Sequence, residues 1–251
     1  MISSEMIDII GPAIAAGLLI TLIHAPLGIE VLKRGIIFID LAVAQIAGLG
    51  LVATSVYFYK SSDWLSQIVP LTCAILGALF FRMIENKIPK QQEAIIGVGF
   101  VLSASLAILV LADHPTGGEE IRHLLSGNML FVTWQDILYH LPIYILIFFL
   151  WFALKLRKGI SFYLIFALAI TSSVQLVGVY VVFASLILPA LAALNYKSPY
   201  RLAWLCGIIS VVTGIILSII FDAPAGPILV VSYVIITILI FTIKRMKNIS
   251  K

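Results

Sequence analysis

Apolar runs of about the length of a membrane-crossing helix recur along the whole chain, and that repetition decides which solvent the fold faces. They occupy 9–31, 36–58, 64–83, 93–112, 136–154, 202–221 and 226–243, with one longer run from Ser161 to Leu194. A helix needs roughly 20 apolar residues to cross about 30 Å of hydrocarbon. Hydrophobic residues make up 62% of the 251 and charged residues 11%, so a water-soluble fold would expose more apolar surface than a monomer tolerates. The same shortage of ionic groups excludes a disordered chain and a nucleic-acid partner. The expected fold class is therefore all-α: a polytopic membrane helix bundle, surrounded by membrane lipid, forming one transmembrane domain over residues 1–251.

The long run needs a cut. Its 34 residues would make a single helix of roughly 51 Å, too long for one crossing. Lys155, Arg157 and Lys158 precede it and Lys197 and Arg201 follow it. Two crossings place both basic groups on one side, and the break is expected near Gln175 to Gly178, where Ser172, Ser173 and Gln175 meet a helix-weakening glycine. About nine transmembrane helices result, with the N-terminus outside and the C-terminus cytoplasmic. Lys33, Arg34, Arg82, Lys87, Lys90, Lys155, Arg157, Lys158, Lys197, Arg201, Lys244, Arg245, Lys247 and Lys251 then lie inside, and only Lys60 and Arg122 outside. That asymmetry is the signature of cytoplasmic loops. Glu5 and Asp8 stand where a signal peptide would carry basic residues, so no cleaved leader is expected.

Two outside segments carry structure of their own. Residues 113–135 open on the turn-rich Asp113-His114-Pro115-Thr116-Gly117-Gly118 and continue with Ile121, Leu124 and Leu125 at helical spacing, which predicts a short surface helix. The second, Asp222-Ala223-Pro224-Ala225-Gly226-Pro227, predicts a tight hairpin, because its prolines cannot continue a helix. Cys73 and Cys206 sit in apolar runs without a CxxC spacing and read as packing residues.

Ionisable groups inside a membrane span are costly, so each is a functional candidate. Asp40 lies near the inner end of the second span and is followed by Gln45; Glu30 lies near the inner end of the first, His24 near its middle beside Pro26, and His140 one turn into the fifth. Asp40 is either a pathway carboxylate or one that snorkels inward or pairs with Lys33 or Arg34. Glu93 opens the fourth span, where a carboxylate suits a helix N-terminus. Gln45 reads as interhelical glue or a ligand, and Gly48 and Gly50, with Ala44 and Ala47, as a close-packing face. No HExxH, CxxC, Walker A or GxSxG motif is present, and His114 and His123 have no third partner at metal-ligand spacing. No cofactor is expected and no metal ligand set can be assigned. Without a nucleotide-binding motif the chain is not expected to hydrolyse ATP itself, so a transport pathway is the simplest use of such a bundle.

Pro26-Leu27-Gly28, Lys33-Arg34, Phe38, Asp40 and Gly50 resemble the start of the membrane subunit of ABC-type zinc/manganese/iron importers. The resemblance continues through Ile96-Gly97-Val98, Leu125-Ser126-Gly127-Asn128, Thr133 and Asp136. It is strongest at Val177-Gly178, at Ala184-Ser185-Leu186-Ile187-Leu188-Pro189-Ala190 and at Asp222 to Pro227. It implies a permease subunit with a partner ATPase at the cytoplasmic face, an extracytoplasmic substrate-binding protein at the other, and a homodimer around a central path. The candidate pathway residues are Asp40 and Gln45, which the resemblance singles out, with His24 and Glu30 from the reading of intramembrane polar groups; the outer mouth it implies includes Asp222 and Gly127.

Two departures stand out. The family's helical Asp and His are four apart; anchored on Gly28 and Gly50, this chain has Leu41 and Gln45 there, with its Asp one residue early. Asp40 and Gln45 are then about 140° apart around the helix. The cytoplasmic segment by which such permeases dock on the ATPase is also reduced to the eight residues from Lys155 to Phe162. Docking would fall instead on Glu85, Lys87 and Lys90, with Lys197. A proton-coupled secondary carrier, and a non-transporting scaffold of the same ancestry, are the alternative readings.

Overall fold

A computed structural model describes residues 4–57, 64–112, 114, 117–127, 129–194 and 196–249, with side chains from Ile10 to Ile243. Lys60, Asp113, Pro115, Thr116, Asn128 and Lys251 fall outside these residues, as do the side chains of Glu5, Asp8, Lys244, Arg245 and Lys247. The described elements are helices α1 (Ser4–Arg34), α2 (Ile39–Tyr57), α3 (Leu65–Lys87), α4 (Gln92–Leu111), α5 (Gly117–Ser126), α6 (Trp134–Phe148), α7 (Gly159–Ala192), α8 (Pro199–Ile220) and α9 (Ala225–Ile249). Eight of them are long and apolar enough to cross a membrane; the exception is α5, the short helix expected outside. A one-turn π-helix, Phe149–Ala153, extends α6.

The chain forms two compact units. One contains residues 1–34, 128–141 and 180–251, the other 35–127 and 142–179. Neither is continuous in sequence, and α6 and α7 each contribute a part to both. In the second unit α2 packs between α3 and α4, and the small-residue face of α2 is used as expected. Gly50 lies against Pro70 and Cys73 of α3, and Gly48 against Leu124 of α5. In the first unit α8 packs on both α1 and α9.

Helix α7 is two helices joined at the place where charge and length require a cut. Gly178 has φ 77° and ψ 165°, a conformation essentially restricted to glycine. It separates segments 159–177 and 179–192, and the chain passes from one unit to the other immediately after, at 179–180. Gly127, which follows α5, is also left-handed at φ 63°. The two glycines meet backbone to backbone: a Cβ on Gly127 would collide with the Val177 carbonyl, and one on Gly178 with the Gly127 amide. Helix α5 thus ends against the interruption in α7.

The hairpin at 222–227 is also present. Ser218 Oγ donates to the Ala223 carbonyl at 2.6 Å, the Ala223 amide donates back to the Ser218 carbonyl at 3.0 Å, and Asp222 takes a left-handed φ of 46°. At the start of α6, Thr133 and Asp136 form a reciprocal cap: the Thr133 amide and hydroxyl donate to Asp136 Oδ2 at 2.9 and 2.7 Å, and the Asp136 amide donates to Thr133 Oγ at 3.2 Å.

Substituting Gly178→Ala imposes backbone strain of about 1–3 kcal/mol in addition to the clash with Gly127, so the thermal midpoint of the purified protein falls by several degrees. Gly97, in the middle of α4, has open space where a Cβ would stand, with nothing within 4 Å. It is the control: Gly97→Ala leaves the midpoint unchanged or raises it.

Candidate functional site

Asp40 sits in the first turn of α2, where the helix dipole favours a negative charge. It is wholly buried, and its carboxylate meets no side-chain partner. The backbone amides of Asp40 itself and of Leu41 are the donors that face it. Asp40 is thus buried rather than extended to solvent. The Arg34 guanidinium is engaged with Glu30 at 3.3 Å, one helical turn away. Gln45, also on α2, is buried at 2% exposure.

Glu93 lies in the first turn of α4, as its position suggested, and does a second job there: its Oε1 accepts the Phe38 amide at 3.1 Å and so satisfies the backbone just ahead of α2. Its Oε2 is buried without a partner. Glu93 is close enough to Asp40 to act on it electrostatically. A second link holds this end of the unit: Gln92 Nε2 donates to the Tyr163 hydroxyl of α7 at 3.1 Å.

The candidates on α1 lie in the other unit and are all engaged. His24 is wholly buried, with Nδ1 2.7 Å from Ser185 Oγ. The Ser185 hydroxyl donates its proton to the Val182 carbonyl at 2.9 Å, so His24 is the donor, from Nδ1–H. Pro26 has no amide to offer the Leu22 carbonyl four residues earlier. Trp204 Nε1 of α8 fills that place at 3.1 Å. Gly28 gives room to the Leu186 carbonyl of α7, which occupies the space a Cβ would need. The motif Pro26-Leu27-Gly28 is thus a packing and backbone-satisfaction device, and Glu30 is half of a helical ion pair.

At the connections expected to be cytoplasmic, Lys87, Lys90 and Lys197 are exposed, while Glu85 pairs with Arg82. Lys90 lies in a single 3₁₀ turn, Pro89–Gln91, between α3 and α4. Between Ala153 and Gly159 only five residues connect α6 to α7. Arg157 there folds back, donating to the Trp151 carbonyl at 3.1 Å with its guanidinium 5.6 and 5.5 Å from the Trp151 and Phe152 rings. Asp222 is exposed, and Gly127 serves the crossing with Gly178. Among the described residues no group of three or more His, Cys, Asp or Glu side chains could hold a metal ion.

Sequence reasoning missed Ser185 as the partner of His24 and Glu93 as the cap of a neighbouring helix. Ser185 lay inside a motif already singled out, and a hydroxyl in an apolar run was the available signal. The pairing of Glu93 with Phe38, 55 residues away, had none.

The family model described as "ABC 3 transport family" matches this chain over residues 6–160 and 155–244. The chain belongs to that family. Its two matched stretches meet at the shortened connection before α7. This member is 25% identical to the high-affinity zinc uptake system membrane protein ZnuB of Haemophilus influenzae, over 97% of this chain and 99% of that protein. It is 24% identical to the manganese transport system membrane protein MntC of Halalkalibacterium halodurans, over 85% of this chain and 80% of that one. In fold it matches a chain of the solved structure of PsaBC from Streptococcus pneumoniae in complex with Fab, with a TM-score of 0.73 and 18% identity over 94% of this chain and 92% of that chain. The protein is an integral membrane permease of the ABC 3 transport family, built as a helical bundle.

Ser185→Ala leaves the buried Nδ1–H of His24 without this acceptor and costs about 1–3 kcal/mol, whereas His24→Leu combined with Ser185→Ala recovers part of that loss because both partners are gone. Thermal unfolding of the two variants checks the order.

Proposed function

We propose that the protein is the permease subunit of an importer for divalent metal ions, free or chelated, which moves its substrate by alternating access driven by a separate ATPase. The observation that carries this reading is the end-to-end alignment with a zinc-uptake membrane protein, 97% of this chain against 99% of that one. The whole chain, 1–251, acts as one permease domain, since the chain passes between the two units at 34–35, 127–128, 141–142 and 179–180. A second copy completes the path, and an extracytoplasmic binding protein delivers substrate at the face bearing α5 and the 222–227 hairpin. The basic face is cytoplasmic, with the N-terminus outside and the C-terminus inside. The break at Gly178 supports this topology, because it allows segments 159–177 and 179–192 to be separate crossings.

Energy coupling is where this chain departs from its relatives. Five residues between Ala153 and Gly159 cannot form a two-turn lever with its connections. The ATPase then docks on the α3–α4 connection, through Glu85, Lys87 and Lys90, with Lys197 contributing. The same short connection favours one rival reading, a carrier or scaffold with no ATPase at all.

Copurification with a cognate ATPase decides between them. Lys87→Glu with Lys90→Glu dissociates the ATPase or uncouples hydrolysis from uptake, while Lys155→Glu with Lys158→Glu leaves both intact. Failure to bind any ATPase overturns the importer reading. Topology is read separately in a background lacking Cys73 and Cys206: a cysteine at Ala223 labels from outside in intact cells, and one at Lys197 labels only after permeabilisation.

A further inference from the structure

We propose that an anionic phospholipid binds in the groove between α1, α6 and α8, with an acyl chain along the groove and its phosphate on Arg201. The groove has a volume of about 590 Å³ and is lined by Leu18 and Leu22 of α1, Ile137 and Leu141 of α6, and Trp204 and Ile208 of α8. Leu18, Leu22 and Ile208 are exposed, so the groove opens toward the surrounding lipid. Its two ends are distinct. Gly17 lies against Val211 and Gly207 against Thr21, while the Leu22 carbonyl takes the Trp204 Nε1 proton, so α1 and α8 run antiparallel. Helix α6 enters at the other end, where Gly11 lies against Trp134. Gly11 and Leu22 are about 16 Å apart along the helix.

The charges at the two ends differ in sign. At the α6 end the residue before Ile137 is the exposed Asp136. At the other end Arg201 stands about one turn before Trp204, on the side of α8 that carries Ile208, and both Arg201 and Lys197 are exposed. Ser198 Oγ accepts one Arg201 N–H at 2.8 Å; a guanidinium has five, and a bidentate phosphate needs two. The Tyr200 and Trp204 rings, 6.2 Å apart, mark this same end, and such amphipathic aromatics favour the headgroup level. Another apolar helix would fill the groove and leave Arg201 unanswered, whereas a phospholipid answers both. The choline or ethanolamine of a zwitterionic lipid competes for its own phosphate, so the basic end selects an anionic headgroup.

The test uses the purified full chain in detergent and phosphatidylglycerol carrying a photoreactive diazirine in one acyl chain, with the adducts mapped by peptide mass spectrometry. Adducts concentrate on residues 15–22 and 204–208. Unlabelled phosphatidylglycerol displaces them about fivefold or more better than phosphatidylcholine of the same chains, the worth of one basic side chain against an anionic headgroup, and inorganic phosphate does not displace them. Arg201→Gln abolishes that preference while the chain still labels the groove, and Ile208→Trp, which fills the groove, suppresses labelling there. Both side chains are exposed, so both variants keep the wild-type thermal midpoint. Adducts spread evenly over the exposed faces of α3 and α4, equal displacement by the two lipids, or an unchanged preference in Arg201→Gln overturns the proposal. Groove adducts that form only when an oligomer is dissociated overturn it as well, because a second copy of the chain is then the occupant.

Discussion

In hydrocarbon every backbone amide and carbonyl must find its partner inside the protein, and irregular backbone is tolerated only where protein covers it. The fold works out that rule at its few interruptions. The largest is Gly178, and it is covered by other backbone. Gly127, at the end of the short helix α5, lies directly against the Val177–Gly178 peptide. Both positions need to be glycine for two reasons at once: the torsion angles and the absence of a Cβ. Helix α5 is therefore part of what allows α7 to be interrupted, rather than an appendage on the surface.

The proline in α1 raises the same problem on a smaller scale. Its missing amide leaves the Leu22 carbonyl unclaimed, and the indole of Trp204 supplies the donor. Ser185 in turn divides its hydroxyl between the Val182 carbonyl and the His24 ring. Here polar side chains answer the needs of neighbouring backbone. Asp40, at the start of α2, is answered by backbone instead, through the amides of Asp40 itself and Leu41.

Much of the architecture was legible in the sequence because hydropathy and charge act over whole segments. Length, and the gathering of Lys and Arg expected on one side, argued for a cut between Ser161 and Leu194, and the non-helical residue falls within the Gln175–Gly178 window. The turn chemistry of 113–118 and 222–227 likewise placed α5 and the last hairpin. Side-chain pairing was harder to foresee. Glu93 stands in the first turn of the helix it opens, as expected, but it also serves the chain ahead of the helix beside it, since a carboxylate reaches whichever unsatisfied amide packing brings closest. Arg34 pairs within its own helix, with Glu30 one turn before it.

The long sequence separation of the contacts around α1 has a consequence for biosynthesis. His24 is 161 residues from Ser185, and Leu22 is 182 from Trp204. At roughly 5–20 residues per second of chain growth, the first helix waits on the order of 10–35 s in the membrane before either partner is made. During that interval its proline-exposed carbonyl lacks the indole donor and its imidazole lacks the Ser185 acceptor, and the insertion machinery or transient water must stand in for them. The first span to be made is thus among the last to be finished.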